Sequence, residues 1–186
     1  RREAMQLLMG YNSFNGYVWN KLFDLQLIRE NDIRFHADYP ACEDTMFVGS
    51  YLYHCSRVCV TEECLYCYRQ VSGGANRGRY SGRKAYDPKW MSVFEMTEYM
   101  ADLYKDDAVT AACRLHEVRE AGIVLRSMEA AGYHGADHAR LKGILRRGAS
   151  LFFRDENSGR SQKLSVLLSC ISPKLELAVW KLRNRK

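Results

Sequence analysis

The stretch Gly16–Phe47, GYVWNKLFDLQLIRENDIRFHADYPACEDTMF, decides how the rest of the chain is read. It opens with Trp19-Asn20-Lys21 at the head of an amphipathic run. It then passes through a short Ile33-Arg34-Phe35 and closes on Glu43-Asp44 before a second apolar run. After Asp44 the apolar residues Phe47, Val48, Tyr51 and Leu52 recur at the spacing of one helix face. Glu43 and Asp44 therefore fall at or just before a helix N-terminus. Unpaired backbone N–H groups and the positive end of the helix dipole stabilise a carboxylate there. An Asp in that place is ordinarily an N-cap, worth about 1 kcal/mol. The same placement suits a general base, which must stay ionised and meet a substrate hydroxyl from a rigid element.

On either side of Asp44 the pattern mixes helix with short strands. Residues 1–11 read as the end of a helix with Ala4, Leu7, Leu8 and Tyr11 on one side. Trp19–Glu30 reads as a helix with Val18, Leu22, Leu25 and Ile28 facing a core. Lys21 there either pairs with Asp24 or reaches a diphosphate. Asn31-Asp32 breaks that helix. Short strands are expected at residues 33–35, 57–61 and 65–70, the last alternating Leu65, Cys67 and Arg69 against Tyr66 and Tyr68 with period two.

Residues 71–87 form a glycine-rich, basic loop with Arg77, Arg79, Arg83 and Lys84, expected to be mobile. It is not a Walker loop, since no Gly-Lys-Ser/Thr stands at the required spacing. From Asp87-Pro88, a fitting N-cap and first helical residue, the pattern is helical. One face carries Trp90, Val93, Phe94, Met100 and Leu103. Further helices are expected at about 107–131, ended by Gly132, at 136–153 with Leu141, Ile144, Leu145, Gly148 and Phe152 inward, at 161–169 and at 173–185. The last has Leu175, Ala178, Val179 and Leu182 on its apolar face, with Lys174, Lys181 and Arg185 opposite. A basic amphipathic helix with a tryptophan, Trp180, also suits a membrane interface.

The 186 residues carry a net charge of +6, unevenly spread. Residues 140–186 hold 12 Lys or Arg against 3 Asp or Glu, whereas the preceding 139 hold 16 against 19. The basic tail points to an anionic neighbour, phospholipid, nucleic acid or protein. No apolar run approaches the roughly 18 residues of a membrane span. The seven cysteines lack the regular spacing of a disulfide scaffold, and reduced cytosolic thiols are the default. Cys55, Cys59, Cys64 and Cys67 are too irregularly spaced for a structural zinc site. His134 and His138, four apart, find no third ligand nearby in sequence and read as surface residues.

Four motifs, Val18-Trp19-Asn20-Lys21-Leu22-Phe23, Ile33-Arg34-Phe35, Glu43-Asp44-Thr45-Met46-Phe47 and Leu65-Tyr66-Cys67-Tyr68-Arg69, stand in the order found in one family. Over about residues 10–72 the chain resembles the acceptor-side half of bacterial family 2 glycosyltransferases, inverting enzymes of the GT-A type. The resemblance implies an α+β but mainly helical fold, in which a small partial α/β remnant precedes a C-terminal helical bundle. It divides the chain into residues 1–72 (acceptor side of the catalytic domain), 73–87 (loop) and 88–186 (helical domain). It implies Asp44 as general base with Glu43 as second choice, Trp19 and Lys21 as supporting residues, and Arg69 as a contact to acceptor or diphosphate. Ser72-Gly73-Gly74-Ala75 departs from the family's turn after the last motif.

The implied partners of the parent enzyme are a nucleotide-sugar donor and a glycan or lipid-linked acceptor, with work at the cytoplasmic side and peripheral contact with the plasma membrane. A divalent cation, manganese or magnesium, is implied for the parent and no metal for this segment. No Asp-x-Asp occurs, and the nucleotide-binding half is expected upstream, since the chain opens on Arg1. The segment alone is then inactive. The rival reading is a non-enzymatic helical module whose basic tail binds membrane lipid or nucleic acid; no nucleic acid is expected as a partner of the glycosyltransferase reading.

Overall fold

The computed structural model describes residues 1–10, 15–69 and 86–184, and its regular structure is helical. Eight α-helices form among the described residues: α1 Arg2–Met9, α2 Leu25–Glu30, α3 Glu43–His54, α4 Ser92–Tyr104, α5 Asp107–Ala131, α6 Ala136–Arg154, α7 Arg160–Ile171 and α8 Pro173–Arg183. A 3-10 turn, Pro88–Met91, leads into α4. The chain forms two compact units, one of residues 1–69 and 89–116, the other of residues 70–88 and 117–186. This differs from the divide read at residues 72 and 88, because α4 and the first part of α5 belong with the N-terminal residues.

In the first unit, α3 and α4 cross closely at Gly49, where a Cβ would stand 2.5 Å from the Met100 sulfur. The Tyr104 hydroxyl donates to the Gly49 carbonyl at 2.9 Å, and Ser50 and Tyr99 share a hydrogen bond of 3.2 Å. Met5, Met9, Met46, Met96 and Met100 are all fully buried. These flexible thioethers fill the irregular gap between helices that meet at glycine. Asp106 caps α5 by accepting from the Ala108 and Val109 amides, and it also accepts from Arg2 Nε at 2.7 Å. One carboxylate thus ties α1 to the start of α5.

In the second unit, the α5 residues Val118, Ala121, Val124, Leu125 and Met128 are buried together with Glu120, Arg126 and Ser127. Burial of polar and apolar residues on successive turns makes this the central helix of the unit. Gly148 of α6 lets that helix approach Val118, since a Cβ there would collide with the valine methyl. Leu141, Leu145 and Phe152 of α6 are buried as their spacing predicted. Gly132, at φ +69°, ends α5 where expected. The Tyr133 amide donates back to the Met128 carbonyl at 2.9 Å and the Gly132 amide to that of Glu129 at 3.2 Å, a glycine-terminated helix end.

The mainly helical class is as expected, but three local readings are corrected. No strand forms among the described residues at 33–35, 57–61 or 65–69; residue 70 lies outside them, as do 71–85 of the expected mobile loop and the expected helix end at Arg185. An extended segment becomes a stable strand only beside hydrogen-bonding neighbours; residues 33–35 and 65–69 hold on through the rings of Phe35, Tyr66 and Tyr68 instead, and residues 57–61 are exposed. The expected helix over Trp19–Glu30 exists only as Leu25–Glu30, because the Asp24 carboxylate accepts from the Gln26 and Leu27 amides and starts the helix there. Leu22, read as core, is 101% exposed and Leu25 is exposed too.

Helix α8 is also turned from its expected face: Pro173, Glu176 and Leu177 are buried while Leu175 and Leu182 are exposed. Its cause is a buried ion pair, Arg126 Nη1 to Glu176 Oε1 at 2.8 Å. Ser165 donates to the same carboxylate oxygen at 2.6 Å, and the Arg126 guanidinium lies 5.0 Å over the Trp180 ring. A buried guanidinium demands a counter-charge, and that demand outranks the apolar periodicity of an 11-residue helix.

Candidate active site

Asp44 is the second residue of α3, preceded by Glu43, and both are half-buried. The residue before the helix is Cys42, in the left-handed conformation at φ 69° and with no side-chain capping bond. Asp44 is therefore not the N-cap. Its carboxylate accepts instead from the backbone N–H of Val18, in the turn that carries Trp19, Asn20 and Lys21. Gly16 permits this approach: a Cβ there would meet the Thr45 side chain and stand 2.8 Å from the Thr45 Cα. Burial raises the Asp44 carboxyl above its ordinary value, the Glu43 charge adds to that, and the Val18 N–H and Lys21 act against it. The net effect is a stronger base than a free aspartate.

Lys21 does not pair with Asp24, whose carboxylate caps α2. Its Nζ donates to the Asn15 carbonyl at 2.7 Å, the Tyr17 carbonyl at 2.7 Å and Asn20 Oδ1 at 2.9 Å. Three donors meet three acceptors, so the ammonium closes the turn beside Asp44. Burial lowers the Lys21 ammonium to about 8, with the Asp44 charge opposing.

Trp19 forms a stack of rings: Tyr17 at 5.3 Å, Tyr68 at 4.9 Å and nearly parallel, and Tyr66 at 4.7 Å and tilted. Tyr66 and Tyr68, read from their period-two spacing as sharing one face, both reach the same indole. Phe35 stacks on Phe47 at 4.5 Å, and Phe23 meets Phe47 and Tyr51 edge-on. The Asp24 amide donates to the Tyr51 hydroxyl at 2.9 Å. Arg69 is exposed.

The structure thus brings Asp44, Glu43, Lys21 and Trp19 to one end of α3. Sequence reasoning missed the Val18 N–H, the Gly16–Thr45 contact and Tyr17. A glycine just before an aromatic-polar turn was the available signal for the second of these. The four spaced cysteines remain free thiols. The group of possible metal ligands that does converge among the described residues is Glu129, His134 and His138. No described helix is long and apolar enough to cross a membrane. Comparison with family models, curated proteins and solved structures finds no match for this chain.

Proposed function

We propose that this chain carries the acceptor side of an inverting, nucleotide-sugar-dependent glycosyltransferase, with Asp44 as its general base. The observation that supports the reading is the convergence of four separated motifs on the start of α3. The Val18 amide bonds Asp44, Phe35 stacks on Phe47, and Tyr68 stacks on Trp19. In the proposed step an Asp44 oxygen takes the acceptor O–H proton as that oxygen bonds the donor's anomeric carbon. The bond from that carbon to the diphosphate breaks, and the nucleoside diphosphate leaves with the electron pair. Burial and Glu43 make Asp44 basic enough to share the proton, Lys21 holds the turn against it, and the exposed rings around Trp19 offer a flat apolar face to a sugar. The proposal keeps the nucleotide and its manganese or magnesium in an upstream half, and the reaction in the cytoplasm, where such donors are made.

The test is Asp44→Asn in the parent enzyme. Turnover is expected to fall by about 10² to 10⁴ with donor affinity unchanged; near-normal turnover would retire the assignment. The wild-type rate should fall on the acid side at a pH above the ordinary aspartate value of 3.8 and on the alkaline side near 8, as Lys21 loses its charge. For stability the sign is opposite. A carboxyl raised in the folded state adds stability fully below its unfolded value and loses it as pH rises through the raised one. At neutral pH Asp44 is therefore a cost, and Asp44→Asn should leave the melting temperature level or higher.

A second reading, a lipid-binding helical module, is favoured by the outward turn of α8. Leu164, Leu167 and Ile171 of α7 and Leu175 and Leu182 of α8 are exposed, and so are Lys174, Lys181 and Arg183. Exposed apolar side chains and cations on the same pair of helices suit an anionic bilayer surface. Co-sedimentation with vesicles containing phosphatidylglycerol, lost in Leu175→Asp and absent with neutral vesicles, would support it. Equal sedimentation of wild type and variant would exclude it.

A further inference from the structure

We infer that Glu129, His134 and His138 form a binding site for a divalent first-row metal ion, zinc being the best fit, which clips α5 to α6. Glu129 lies in the last turn of α5, His134 in the glycine-bounded turn and His138 in the first turn of α6. His138 Nε2 lies 2.8 Å from Glu129 Oε1, and His134 Nδ1 lies 3.9 Å from the same oxygen. The three ligand atoms fall within 4.8 Å of one another. Tetrahedral zinc with bonds of about 2.0–2.1 Å holds its ligands about 3.3 Å apart. The 2.8 Å contact must open by about 0.5 Å and the longer separations must close, and a turn of the exposed His134 ring supplies the larger movement.

Two features separate this group from an ordinary surface pair. The Glu129 side chain is only 4% exposed, and a carboxylate that deep needs a cationic or donor partner. His138 alone satisfies one hydrogen bond. Yet a second imidazole is also turned toward the same oxygen, its ring 5.1 Å from that of His138 and nearly perpendicular to it. Two imidazole nitrogens and one carboxylate make a nitrogen-rich set that suits zinc over magnesium or calcium, which take oxygen. The backbone is prepared: the Gly132 helix end and the His138 amide bonded to the Gly135 carbonyl at 3.1 Å hold the turn. His134 is 50% exposed, so the fourth position opens to water. The sequence reading missed the site because its third ligand lies five residues before His134, across the helix end.

The test uses the untagged 186-residue chain, stripped of metal and kept reduced, titrated calorimetrically with zinc chloride. One equivalent should bind with a Kd near or below 10 µM, on the order expected for three protein ligands. Zinc at 100-fold over that Kd should raise the melting temperature by about 5–10 °C. Glu129→Gln, His134→Ala and His138→Ala should each weaken binding at least about tenfold and remove the thermal shift. His134 is exposed enough that its variant keeps the fold, as far-ultraviolet circular dichroism will report. Cobalt substitution should give a nitrogen- and oxygen-ligated spectrum without a thiolate charge-transfer band. Zinc affinity unchanged in His134→Ala, a thiolate band, or no saturable uptake by wild type would each overturn the inference.

Discussion

The two compact units are held by different means. In the second, helices whose apolar residues repeat over 11 to 25 positions bury those residues against a central α5, and one buried ion pair sets the roll of α8. In the first, from Gly16 to Arg69, long segments without regular structure are tied to α3 by a backbone N–H on Asp44, a lysine filled by three oxygens, and stacked rings. The contrast separates two kinds of information in a sequence. Periodicity over several turns specifies a helix almost by itself. A three- to five-residue apolar segment specifies nothing until its partner is known.

The largest effect expected on this picture is the loss of turnover on Asp44→Asn, since the tie to Val18 would prove to hold a base and not merely a loop. Next is Glu176→Ala in the second unit. It strands the Arg126 guanidinium in the interior and should cost about 3–5 kcal/mol, measured by denaturant unfolding. The paired replacement Arg126→Met with Glu176→Leu should recover most of that loss. A single-variant loss under about 1 kcal/mol would mean that water reaches the pair and that periodicity was overridden by something else.

Gly16→Ala strikes the corresponding tie in the first unit. The added methyl meets the Thr45 side chain and backbone, so the turn must lift from α3, at a cost of about 1–3 kcal/mol. The ring stack should loosen with it, read as a change in Trp19 fluorescence. An unchanged melting curve and emission would show that the contact is adjustable. The smallest effect belongs to Leu22→Ser. The expected helix face made Leu22 core, whereas its full exposure limits the change to about ±0.5 kcal/mol. A larger loss would restore the longer helix.

Much of the candidate site was legible in the residues. Glu43 and Asp44 open α3, which runs to His54 as the spacing of Phe47, Val48 and Leu52 requires. Trp19 and Lys21 do stand beside that opening. What they do there was not legible. Whether Lys21 pairs with Asp24 or closes its own loop depends on where Asn15, Tyr17 and Asn20 place their oxygens, and no local pattern encodes that. Tyr66 and Tyr68, two apart and so on one side of an extended segment, both meet Trp19, but that Trp19 is the surface they cover was not legible from their spacing.

The sequence by itself determined the helical class, the ends of α5 at Asp107 and Gly132, the inward face of α6 and the carboxylates at the head of α3. Those depend on local terms: backbone hydrogen bonds within four residues, glycine's tolerance of positive φ, and a 3.6-residue repeat. Only the tertiary structure decided the roll of α8, the packing of α4 with the N-terminal residues and the meeting of Glu129 with His134 and His138. Each of these turns on a few strong contacts between distant residues. A buried charge or a close helix crossing outweighs the weak preference of a short helix for one face, so the choice is made only when the chain has folded.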